Sequence, residues 1–336
     1  MSAPAPVLDL RNLNVRLNLP NGRLHVVDGL DLQVARGETL CLVGESGCGK
    51  SMVALSLMRL LPKVARWTAD RFVLEGREVG GLSERAFSEL AGDRISMIFQ
   101  DPMTAFNPVL TFREQLSEVF FRHRKGNRRA ADEKALFLLD RLGVPAARDR
   151  LDQYPHQLSG GLRQRMMIAM ALMCDPALVV ADEPTTALDV TIQAQTLRLL
   201  ANLQRELDLG LILVTHDLGL VSRIADRVAV MYAGQIVEVG ARTAVFERPC
   251  HPYTKGLIDC VPVPGRFRRG DRLGTIEGSV PTMVGGLTGC RFASRCPQAA
   301  DVCVAARPPE HRDGSHHWRC VNDEVSSKAP ASRVLS

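Results

Sequence analysis

Apolar and polar residues alternate in two runs between Val7 and Val34, and Pro20-Asn21-Gly22 between them is a turn signal, so the chain is expected to begin with an antiparallel hairpin. The next apolar run, Thr39-Leu40-Cys41-Leu42-Val43, is short and unbroken and predicts a buried strand. It leads into a glycine-rich loop and then into a helix-compatible stretch from Ser51 to Leu61. A second alternating stretch, Phe72 to Val79, precedes a strand over 95–99. From Phe112 to about Met173 the apolar spacing becomes helical, with Ala135, Leu138, Leu139 and Leu142 on one face, which predicts a helical insert over 112–173. Strands return at 178–181, 211–214 and 228–231, with a helix over 192–207 among them, the strand–helix–strand rhythm of a covered sheet.

After Pro249 proline, glycine and cysteine rise and periodicity is lost. The expected organisation is an α/β domain over 1–248, a small cysteine-rich region over 249–322, and a polar, disordered tail over 323–336. A chain of 336 residues has room for one large core and an appendage. Hydrophobic and charged fractions of 46% and 24% are those of a globular protein, which excludes a disordered or fibrous chain. No stretch approaches the length of a membrane span, and Met1–Leu8 lacks the order of a secretory signal, so a cytoplasmic location is expected unless a partner holds the chain at a membrane. A net charge of +5 over this length gives no argument for nucleic acid. Arg163, Arg165, Arg266, Arg268 and Arg269 lack interleaved aromatic residues, apart from the isolated Phe267, and read as solvated surface.

The strand–loop–helix at 39–61 carries Gly44-Glu45-Ser46-Gly47-Cys48-Gly49-Lys50-Ser51, followed by Met52, and fits the pattern G-x-x-x-x-G-K-[ST]. Glycines let such a loop wrap phosphates with main-chain N–H groups, Lys50 reaches the β- and γ-phosphates, and the Ser51 hydroxyl is placed to ligate Mg²⁺. Leu178-Val179-Val180-Ala181-Asp182-Glu183 is a buried strand ending in two carboxylates: Asp182 to hold Mg²⁺ through water, and Glu183 to polarise an attacking water. Leu158-Ser159-Gly160-Gly161-Leu162 opens a further helix, where free N–H groups, a hydroxyl and the positive end of the helix dipole form another anion cradle. Both cradles act on one nucleotide most simply if two subunits face each other head to tail.

With these motifs in this order, residues 7–245 resemble the nucleotide-binding domain of the ABC transporter family, a P-loop NTPase with a RecA-like core, an antiparallel β-subdomain and a helical subdomain. The resemblance implies that Ser159, Gly160 and Gly161 contact the γ-phosphate held by the opposite subunit's Lys50 loop. It further implies that Gln100 senses Mg²⁺ and the transmembrane partner, that Asp189 belongs to the D-loop, and that His216 contacts the γ-phosphate. One departure concerns the adenine-stacking position just after the first strand, usually aromatic in the family, where Leu17 aligns. A missing ring gives up roughly 1 kcal/mol of stacking.

The segments Phe99–Pro108, Tyr154–Ser159 and His251-Pro252-Tyr253-Thr254 resemble the peptide/nickel importer branch of that family. This implies an ATPase at the cytoplasmic face of the inner membrane, driving import of dipeptides or oligopeptides. Its partners would be a second, similar ATPase in a heterodimer, two transmembrane permease subunits and an extracytoplasmic peptide-binding protein. Nickel or glutathione as cargo, and a soluble ABC ATPase working on DNA or ribosomes, are the alternatives.

Nine cysteines in a chain without export signals are not expected to form structural disulfides. Cys290, Cys296, Cys303 and Cys320 are bunched as C-x5-C-x6-C-x16-C, and four thiolates suit either tetrahedral Zn²⁺ or the corners of an iron–sulfur cluster, with unligated thiols as the third reading. The wide first gaps favour [4Fe–4S] over zinc knuckles, and the resemblance adds that members of this branch carry such a cluster. His316 and His317 are then not required as ligands and read as solvated loop residues.

Overall fold

The computed structural model describes residues 5–20, 22–184, 190–261, 274–281, 284–285 and 288–321, with the side chains of 190 and 191 left aside. Asp189, the arginines at 266, 268 and 269, and the tail at 323–336 lie outside the described residues. The chain divides into two compact units, one made of Met1–Asp9, Gln33–Thr39 and Val73–Val214, the other of Leu10–Leu32, Leu40–Phe72 and Thr215–Ser336.

The strands in chain order are β1 (Leu8–Leu19), β2 (Gly22–Val34), β3 (Thr39–Val43), β4 (Ala65–Thr68), β5 (Arg71–Leu74), β6 (Arg77–Glu78), β7 (Ile95–Ile98), β8 (Leu178–Asp182), β9 (Gly210–Thr215), β10 (Arg227–Tyr232), β11 (Gln235–Ala241), β12 (Glu310–Asp313) and β13 (His316–Arg319). In the first unit β7, β8 and β9 run parallel, with Ile95 opposite Leu178 and Asp182 opposite Val214. Every residue of these three strands is buried, which explains why their sequences are mostly apolar. The helical insert is present as Phe112–His123, Arg128–Arg141, Ala147–Leu151 and Gly160–Leu172, with a 3-10 turn at Pro155–Gln157. Thr111 starts the first of these with a capping box, its hydroxyl accepting from the Glu114 N–H while the Glu114 carboxylate accepts from the Thr111 N–H. Arg113 ties the insert together by bridging Asp132 and Asp152.

In the second unit β10 is parallel to β3, with Val228 opposite Cys41, and antiparallel to β11. The expected hairpin is there as β1 and β2, with β4 pairing along β1. Three details depart from the sequence reading. The helix after the glycine-rich loop spans Lys50–Leu57 rather than reaching Leu61, because Arg59 takes a left-handed φ of 55° and the chain turns off before Pro62. The alternating stretch 72–79 contains a tight turn that the alternation did not reveal: Glu75 and Gly76 both have positive φ, 48° and 78°, between β5 and β6. The region after Pro249, read as aperiodic, contains the helix Pro252–Asp259 and the β12–β13 hairpin. β13 extends the sheet by pairing with β11, Glu238 opposite Trp318 and Val239 opposite His317.

Candidate nucleotide site and cysteine cavity

The loop between β3 and the helix Lys50–Leu57 has the shape its glycines allow. Gly44 and Gly49 have φ of 156° and 105°, and a Cβ there would sit 2.2 Å from the Met231 carbonyl oxygen and 2.6 Å from that of Val26. Only glycine fits either place. Lys50, 4% exposed, folds back so that Nζ donates to the carbonyls of Gly44 at 2.8 Å and Glu45 at 3.0 Å. A side chain held this way spans back across the loop that precedes it. Residues 45–48 also line a cavity of about 630 Å³ together with residues 24–26 and 279–281. Leu17 lies inside β1, opposite Ala65, rather than just after the strand. The strand runs on because the Asn18 N–H still finds the Val64 carbonyl at 3.4 Å.

In the other unit, the buried Asp182 closes β8, and Glu183 follows with a left-handed φ of 43°, its N–H donating to the Val214 carbonyl at 3.0 Å. Gln100 Nε2 donates to Glu183 Oε2 at 3.2 Å, so the structure joins two residues that the sequence separates widely. Such an amide fixes the direction in which the carboxylate points. Ser159 is the N-cap of Gly160–Leu172, its hydroxyl accepting from the Leu162 N–H at 3.4 Å. The hydroxyl is thus fixed at the helix N-terminus with Gly160 and Gly161. His216 lies between β9 and the helix Leu218–Ile224, whose N-cap Asp217 accepts from the Leu220 N–H.

Cys290, Cys296, Cys303 and Cys320 line one small cavity with His251 and Phe292. Burial pushes the thiols of Cys290 and Cys296 up, and each neighbouring thiolate pushes them further. Four cysteine sulfurs on one cavity are the ligand set of a tetrahedral ion or of a cluster's corners, so the donor set fits a metal ion or cluster. Burial pushes His251 down to about 4, keeping the ring neutral, and its Nδ1 accepts from the Tyr253 N–H at 3.0 Å. His316 corrects the sequence reading: it is buried, with Nε2 2.8 Å from the fully buried carboxylate of Glu238. Glu238 also accepts from the N–H groups of Cys250 and His251 at 2.9 Å each, so it fixes the chain entering the cavity wall.

Sequence reasoning missed two contacts of the phosphate loop. Tyr253 Oη accepts from the Glu45 N–H at 2.9 Å. Arg295 grips the Glu45 carboxylate with both terminal nitrogens, at 2.7 and 2.9 Å, and Glu45 in turn raises the guanidinium's affinity for its proton. Tyr253 stood inside a recognisable segment, whereas nothing local to Arg295 announces a partner 250 residues earlier.

Comparison with known proteins gives concordant matches. Residues 27–186 match the family described as "ABC transporter", and residues 237–303 match "Oligopeptide/dipeptide transporter, C-terminal region". The dipeptide transport ATP-binding protein DppD of Bacillus subtilis is 47% identical over 97% of this chain and 98% of its own length. The oligopeptide transport ATP-binding protein AppD of the same organism is 45% identical over 92% of this chain and 94% of its own. Among solved structures, the ATP-binding cassette MJ0796 bound to ADP and Pi superposes with a TM-score of 0.63 at 24% identity, covering 70% of this chain and 98% of that one, a likeness of fold. CbiO1 of Clostridium perfringens, part of the ABC transporter complex CbiONQ, gives 0.60 at 26% identity, covering 72% of this chain and 91% of that one.

Proposed function

Because the chain belongs to the ABC transporter ATP-binding family and carries the C-terminal region of its oligopeptide/dipeptide transporters, we propose that it hydrolyses ATP to energise import of dipeptides or oligopeptides. It works at the cytoplasmic face of the membrane, bound to two permease subunits fed by an extracytoplasmic peptide-binding protein. Among the described residues no helix is long and apolar enough to cross a membrane, which suits a subunit that docks on others that do. The observation that carries the reading is the presence in one chain of two glycine-bearing helix starts suited to phosphate, the loop into which Lys50 folds back and the capped start at Ser159.

In the mechanism they support, a triphosphate lies between the Lys50 loop of one subunit and Ser159, Gly160 and Gly161 of a second, similar ATPase in a heterodimer. The N–H groups and glycines of 44–51 cradle the phosphates, and Met52 continues the helix whose positive end faces them. Ser51, Gln100 and Asp182 would hold Mg²⁺, which when bound offsets the charge on the β- and γ-phosphates. Glu183, oriented by Gln100, takes the proton of the attacking water. Lys50, His216 and the partner's serine loop stabilise charge building on the γ-phosphate, and adenine rests near Leu17 without a ring to stack on. Phosphate release then opens the dimer.

The four cysteines would hold a [4Fe–4S] cluster, with Zn²⁺ the alternative; either would be structural, tying together loops from 290 to 320. Two measurements test the whole. Purified from a membrane fraction, the chain should bring two hydrophobic subunits with it, whereas ribosomes or DNA in their place would refute transport. Glu183→Gln should retain ATP binding while turnover falls on the order of a thousandfold, and undiminished phosphate release would remove Glu183 from its role.

A further inference from the structure

The C-terminal region reaches the phosphate loop through a continuous set of buried groups. Phe292, on the wall of the cysteine cavity, packs against Tyr232 and Tyr253 with ring centroids 5.2 and 5.4 Å away, and those two tyrosines lie 4.6 Å apart. Three residues on, Arg295 ends the 3-10 turn Ala293–Arg295 immediately before Cys296. Its side chain, 4% exposed, stands over the Tyr232 ring at 5.7 Å and is fixed by the carbonyls of Ile276 and Glu277 at 3.1 and 2.7 Å. So constrained, it presents both terminal nitrogens to Glu45.

Glu45 is an awkward residue for a phosphate cradle. A carboxylate second in the loop repels a triphosphate unless its charge is taken up and its direction fixed. Arg295 does both, and Tyr253 takes the Glu45 N–H, which fixes the entry of the loop. We infer that Arg295 and Tyr253 are positioning residues for ATP: the cysteine-bearing C-terminal region clamps the phosphate loop and masks its Glu45 carboxylate, so that the order of the cysteine loop sets nucleotide affinity. The inference rests on reading 44–51 as the triphosphate loop, and the test separates the two.

MgATP is titrated calorimetrically into the full-length chain and its variants Lys50→Ala, Glu45→Gln, Arg295→Ala, Arg295→Lys and the double variant Glu45→Gln/Arg295→Ala. Arg295→Ala should weaken binding roughly tenfold by unmasking a negative charge beside the phosphates, with Arg295→Lys between it and the parent. Removing the unmasked charge should restore it, so the double variant should bind within about threefold of Glu45→Gln alone. A double variant as weak as Arg295→Ala would overturn the clamp, since an effect without rescue is general loosening of the fold. Parental affinity in Arg295→Ala, with binding lost in Lys50→Ala, would also overturn it while leaving the loop reading intact. Undiminished binding in Lys50→Ala would instead strike the loop reading itself.

Discussion

The phosphate loop and the cysteine cavity, proposed above to hold a nucleotide's phosphates and a metal ion or cluster, are built in opposite ways. The loop is eight consecutive residues whose working parts are main-chain amides and one lysine, and its specificity lies in what is absent, the Cβ atoms of Gly44 and Gly49. The cavity takes side chains from separated positions between Cys290 and Cys320, and its specificity lies in what is present, four sulfurs facing one space. A main-chain device is therefore damaged by adding a methyl group, and a side-chain device by deleting one atom. The second also needs a scaffold to converge distant segments, which the buried Glu238 supplies by accepting from Cys250 and His251.

The sharpest break in that comparison is Cys290→Ala. It should abolish a brown absorption near about 400 nm while leaving the loop sequence intact, and a colourless parent protein containing zinc would assign the cavity to Zn²⁺ instead. Next in size is His316→Ala, which deprives a fully buried carboxylate of a partner and should lower folding stability by roughly 3 kcal/mol in urea denaturation. An unchanged midpoint would mean that Glu238 needs only its two backbone donors. Smaller still, Gly49→Ala drives a Cβ against the Val26 carbonyl and should cost about 2 kcal/mol, read as weaker MgATP binding with the visible spectrum preserved. If the spectrum disappeared as well, the loop would be holding the cavity in shape, and not only the cavity's wall the loop.

The same difference explains what could be read from the chain before its structure. A main-chain device is contiguous, so Gly44 to Ser51 stood out with its strand and helix, as did the β8 carboxylates and the Ser159 helix start. The parallel strands were legible because burial on both faces demands unbroken apolar runs. The turn at Glu75-Gly76 was not, because alternation continues through a two-residue hairpin and only the positive φ values reveal the reversal. Nor was the burial of His316, whose partner Glu238 is polar and far away in the chain, so neither residue's neighbours advertise the pairing. The cysteines stood out by their bunching, and all four line one cavity, while the grip of Arg295 on Glu45 left no local trace. Contacts between polar residues distant in sequence are set by the fold and carry no periodic signature.

The pairing of β13 with β11 bears on how the protein is made. As the chain leaves the ribosome, β11 emerges well ahead of the segment that covers it, and until Trp318 arrives its outer edge offers unsatisfied amides and carbonyls to any neighbouring strand. A product truncated between these two strands keeps that edge open permanently, which makes premature termination there a route to aggregates rather than to a shortened, working motor.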